Sequence, residues 1–111
     1  MFDAVVFAGG GNRCYWQGGF YEAVATRLSL SPKVVVGVSA GAFAAAYSLL
    51  EAGPATRARV IDACDPRLRN FDFAAWRQGR SLCPVGPLYA ELLDQTIDAD
   101  AFRRLQLITD F

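Results

Sequence analysis

Lys33-Val34-Val35-Val36-Gly37-Val38-Ser39-Ala40-Gly41, continuing into Ala42-Phe43-Ala44-Ala45-Ala46-Tyr47-Ser48-Leu49-Leu50, decides the fold. Lys33 to Val36 reads as a short strand buried on both faces. Alanine-rich Ala42 to Leu50 reads as a helix. Only small residues separate the two, so the chain must pass from strand to helix in one sharp turn. Residues 34–50 carry no charge, and their length lies at the bottom of the range of about 17–25 residues for a membrane span. Gly37, Ser39 and Gly41 in the middle of the run favour strand, turn and helix instead.

The same order occurs upstream. Ala4 to Ala8 is a second buried-strand run, ended abruptly by Gly9-Gly10-Gly11. From Cys14 onward, Trp16, Phe20, Val24 and Leu28 recur every four residues, the stripe of an amphipathic helix with its core face on those side chains. That helix ends before Ser31-Pro32. Downstream, Glu51-Ala52-Gly53-Pro54 reads as a glycine cap and proline stop, followed by a helix from Ala55 to Ala63. Asp65 to Pro87 reads as an irregular connection with one short helical turn. Its Phe71, Phe73 and Trp76 form either a lipid-facing patch or a satellite cluster under a loop. Pro87 opens a helix to Thr96 with Leu88 and Leu92 inward. Asp98 caps a last short helix through Leu105, and Leu105 to Phe111 reads as the start of a third strand.

Strand, helix, strand, helix implies parallel strands joined by right-handed crossovers. Two such strands expose apolar faces and unpaired edges, so self-association or pairing with a missing C-terminal half is expected. The 111 residues therefore read as the opening portion of an α/β domain.

Composition narrows the chemistry. The chain is 53% hydrophobic with eleven basic and eleven acidic residues, which argues against disorder and against a nucleic-acid partner. It contains no histidine, so a Ser-His-Asp or Cys-His site cannot be built from it. Cys14, Cys64 and Cys83 are odd in number and widely spaced; they read as reduced thiols in a cytosolic protein, not as a metal site or disulfide framework. The N-terminal stretch has an acid at Asp3 and no basic region, unlike a secretory signal.

Gly37-Val38-Ser39-Ala40-Gly41 has the form G-x-S-x-G and sits between a strand and a helix, where such a turn lifts a serine hydroxyl to the sheet edge. Gly9-Gly10-Gly11-Asn12-Arg13 follows the first strand. A dinucleotide fingerprint would need glycine where Cys14 stands and an acid near Ser29 to Ser31, and both are missing. The other reading is a set of backbone donors for an oxyanion, with Arg13 beside them.

These two motifs, in this order and spacing, resemble the N-terminal half of a patatin-like phospholipase, best over residues 4–52. The resemblance implies a three-layer parallel-sheet α/β fold, here cut before its later strands. It also implies a serine lipid acyl hydrolase using a Ser-Asp dyad without histidine. By that resemblance Ser39 is the nucleophile, Gly9, Gly10, Gly11 and Arg13 serve the oxyanion or substrate, and Gly37 and Gly41 flank the elbow. Cys14 stands where the family usually has glycine. The family's aspartate precedes glycine or alanine after later strands; Asp62, Asp98 and Asp100 each precede alanine but read as surface or capping acids. No metal or cofactor is implied. The implied substrate is a lipid or other acyl ester, and the implied setting is the cytoplasm or the periphery of a membrane. A non-catalytic lipid- or partner-binding fragment and a nucleotide-binding domain are the alternatives.

Overall fold

A computed structural model describes residues 2–63, 69 and 71–108. Strand β1 spans Ala4–Phe7, and a 3₁₀ turn over Gly11–Cys14 leads into helix α1, Tyr15–Leu28. Strand β2, Val34–Gly37, is followed by α2 (Ala40–Leu49), α3 (Gly53–Ala63), α4 (Phe73–Arg77), α5 (Val85–Thr96) and α6 (Ala99–Ile108). β1 and β2 pair in parallel, with Ala4 opposite Val34 and Phe7 opposite Gly37. The molecule is thus mixed α/β, as its element order requires. No helix among the described residues is long and apolar enough to cross a membrane.

Helix α2 is the central element and packs against both strands, α1, α3 and α6. Its alanines let neighbours approach closely. Ala44, Ala45 and Tyr47 form one buried cluster with Phe7 and Cys14, and Ala46 and Leu50 form another with Leu105. Gly18 of α1 makes the first contact possible, because a Cβ there would lie 2.3 Å from the Tyr47 hydroxyl. Between α1 and α3, Arg57 and Glu22 form an ion pair at 2.7 Å, and Gly53 leaves space for the Glu22 carboxylate.

Several sequence expectations are corrected. The strands are not buried on both faces: Val6, Val34 and Val36 are exposed on one face of the pair, because the helices cover only the face bearing Val5, Phe7 and Val35. Trp16 and Phe20 are not core; they are 66% and 61% exposed. Helix α1 turns Tyr15, Gly18 and Tyr21 toward the core instead, because glycine permits closer helix contact than a large side chain. Gly53-Pro54 does not end α2. Glu51 makes that turn with a left-handed φ of 56°, and Gly53 and Pro54 open α3, where proline's missing N–H is tolerated.

No third strand begins at Leu105. Helix α6 runs to Ile108, and residues 109–111 lie outside the described part of the chain, as does Cys64. Helical periodicity prevails there because Ala101 and Leu105, four apart, pack on the Ala46–Leu50 cluster. Asp98 starts the helix as expected, accepting from the Ala101 N–H at 2.8 Å.

Tyr47 is fully buried, and its hydroxyl has no partner among the described residues. Burial pushes its pKa from 10.0 up to about 12. The folded chain therefore holds an extra proton between those values, and stability falls as pH rises through that window. The loss reaches about 2–3 kcal/mol near pH 12, and Tyr47→Phe should abolish it. Urea unfolding of both proteins from pH 8 to 11.5 checks this; parallel pH profiles would refute it.

Candidate active site

The turn after β2 is held backbone to backbone. A Cβ on Gly37 would lie 2.4 Å from the Ala42 Cα, and one on Gly41 would lie 2.3 Å from the Phe7 carbonyl oxygen. Only glycine fits either place. The contact at Gly41 seats the first turn of α2 against the end of β1. The Val38 N–H also donates to the Phe7 carbonyl at 3.1 Å, extending the strand pairing by one residue.

Ser39 sits at the top of this turn with φ 54° and ψ −129°. That backbone state is sparsely populated for a residue with a side chain, costs on the order of 1–3 kcal/mol, and clusters at functional sites. The position is also the N-cap of α2, where serine ordinarily caps the helix through its hydroxyl. Here the side chain makes no capping bond. The residue is exposed, and its Oγ has no hydrogen-bond partner among the described residues.

The glycine loop after β1 lies against this turn. A Cβ on Gly9 would meet the Val38 carbonyl at 3.2 Å and the Ser39 Cβ at 3.5 Å. Gly11 adopts a left-handed φ of 56°. The N–H groups of Gly10 and Gly11 engage no acceptor among the described residues, while Arg13 turns back to the Gly10 carbonyl through its own N–H at 3.2 Å. Such free donors beside a hydroxyl can hold a developing oxyanion.

Three side chains fix the loop. Gln17 of α1 pairs with Ala8 like a neighbouring strand, accepting from its N–H at 2.9 Å and donating to its carbonyl at 2.8 Å. The buried Cys14 thiol donates to the same carbonyl at 3.2 Å. The Tyr89 hydroxyl of α5 donates to the Asn12 side-chain oxygen, joining the loop to a helix far along the chain. Gln17 and Tyr89 escape a sequence reading, because a lone polar residue beside an apolar stripe does not disclose its partner.

Ser39 and Gly10 to Arg13 together line a cleft of about 880 Å³. From there it runs between Ala42, Phe43 and Ala46 of α2 and Val85, Tyr89 and Leu93 of α5, with Ile97 just past the end of that helix. These four residues recur every fourth position, a second apolar stripe beside Leu88 and Leu92. Among the described residues, no carboxylate lines the cleft. Asp62 is exposed on α3, Asp98 caps α6, and Asp100 faces Arg103 at 4.0 Å.

A family model for the patatin-like phospholipases matches residues 5–109. The chain belongs to the patatin-like phospholipase family. It is thereby a member of a lipid acyl hydrolase family. No curated protein and no solved structure gives a match. In this patatin-like chain Cys14 is a packing residue whose thiol serves the loop. Gly18 does not replace the missing loop glycine, because it faces Tyr47.

The strain at Ser39 yields an energetic test. Ser39→Gly relieves the positive φ, whereas Ser39→Ala retains it, so the glycine variant should be the more stable by about 1 kcal/mol. Gly41→Ala should destabilise by about 1–3 kcal/mol through overpacking against the Phe7 carbonyl. Denaturant midpoints of the three variants measure both effects. An alanine variant at position 39 as stable as the glycine variant would remove the strained turn from the account.

Proposed function

We propose that the chain is the nucleophile-bearing part of a serine acyl hydrolase acting on esters with an apolar acyl chain. The observation that carries this reading is the uncapped, strained Ser39 hydroxyl, in one cleft with the free N–H groups of Gly10 and Gly11. In the reaction, Ser39 Oγ attacks the ester carbonyl carbon, its proton passes to a base, and the carbonyl oxygen becomes an oxyanion. Gly10 and Gly11 donate to that oxygen, and Arg13 places a positive charge beside it. Collapse breaks the ester C–O bond, the alcohol leaves with a proton, and water then releases the acid from the acyl-serine. The groove between α2 and α5 takes the acyl chain. No metal or organic cofactor enters these steps.

The base is an aspartate outside the described residues, since none of their carboxylates lines the cleft. An unactivated serine is a weak nucleophile. Hydrolysis of p-nitrophenyl esters by the 111-residue chain should therefore be slow. That same lack of a lining carboxylate favours a second reading, a non-catalytic fragment that binds lipid in the groove.

A fluorophosphonate separates the two readings, because it reacts with a nucleophilic serine and needs no turnover. The expected result is a covalent adduct on Ser39, identified by peptide mass spectrometry and absent in Ser39→Ala. Arg13→Ala should label more slowly, by about ten- to a hundredfold, near the lower range for losing one oxyanion-stabilising group. No adduct at Ser39 under conditions that label other serine hydrolases would leave only the binding reading.

A further inference from the structure

Helix α4 and its flanks present a surface that the acyl-hydrolase site does not use. Phe71, Phe73 and Trp76 are 58%, 66% and 59% exposed. Phe73, Trp76 and Arg77 lie three and four positions apart, so they share one face of the helix. Only Ala75 of this segment is buried. Arg69, Arg77 and Arg80 are exposed around the aromatics and form no ion pair among the described residues. The one acid among the described residues of this patch, Asp72, accepts from the Ala75 N–H at 2.9 Å and caps the helix. Although the whole chain is neutral, this patch is locally basic and aromatic.

We propose that the patch formed by Arg69, Phe71, Phe73, Trp76, Arg77 and Arg80 docks the protein on an anionic lipid surface. Phe71, Phe73 and Trp76 would enter the headgroup boundary, and the three arginines would face lipid phosphates. Aromatic rings suit that boundary because one part of it is apolar and the other wet, and the basic groups supply attraction to anionic lipid. A second copy fits less well. A two-fold contact would set this patch against itself and bring six arginines together. The inference does not depend on Ser39 being a nucleophile.

Flotation with phosphatidylcholine vesicles, with and without phosphatidylglycerol, tests it. Binding should be strong only with the anionic lipid and should weaken as salt rises. Phe73→Ala with Trp76→Ala should lower binding by at least tenfold. Arg77→Gln and Arg80→Gln should each lower it by about fivefold and flatten the salt dependence. All four positions are exposed, and circular dichroism verifies that the variants fold. Trp16→Ala, an exposed aromatic on α1 outside this patch, should bind as the parent does. Equal binding to neutral vesicles, no binding at all, or loss in Trp16→Ala with the α4 variants unaffected would each overturn the proposal. Absence of vesicle binding together with capture of an acidic polypeptide would assign the patch to a protein partner instead.

Discussion

Backbone packs directly on backbone where α2 meets the two strands, and the rest of the molecule is arranged around that contact. Gly41 rests against the carbonyls of Phe7 and Ala8, while Gly37 rests against Ala42. A single methyl group at either glycine would push the helix away from the sheet. With both glycines in place, the end of β1 and the start of α2 touch, so two loops separated by about 25 residues in sequence become neighbours. That closeness is what puts the glycine loop and Ser39 in one cleft. The same close approach forces Ser39 into its unusual backbone state, for the turn has no room to relax.

The second layer of the design holds the loop still. Backbone donors are useful to an oxyanion only if they need no rearrangement when charge develops. Gln17 and Cys14 both bind Ala8, the residue just before the glycines, and Tyr89 reaches Asn12 from the other side. The loop is therefore anchored by side chains from its own 3₁₀ turn, α1 and α5, while its Gly10 and Gly11 N–H groups stay free of acceptors among the described residues. Helix α5 contributes twice, since its Val85–Leu93 stripe also forms the apolar wall of the groove.

Much of this was legible in the sequence because it depends on local rules. Small residues between a β-branched run and an alanine run require a tight turn, and Gly-x-Ser-x-Gly has the glycines where the two contacts need them. The positions of β1, β2, α2 and the Asp98 cap follow from such rules. What misled was burial. An apolar stripe at helical spacing does not say which neighbour it meets, and Trp16 and Phe20 are exposed in a surface cleft beside β1 rather than in the core. Leu105 to Phe111 reads as a strand because it alternates loosely, whereas the distant Ala46–Leu50 cluster holds its described part, to Ile108, in a helix. Gln17, Tyr89 and Gly18 act through partners 9 to 77 residues away or on another helix, and no local pattern reports such partners.

The central claim is that Ser39 and the glycine loop are one chemical site. A crystal structure of the protein phosphonylated on Ser39 tests it most directly, because the bound phosphonyl oxygen occupies the place of the oxyanion. The account predicts that oxygen within about 3 Å of the Gly10 and Gly11 nitrogens, with the alkyl chain running between α2 and α5. An adduct whose oxygen points to solvent, away from both glycines, would contradict it.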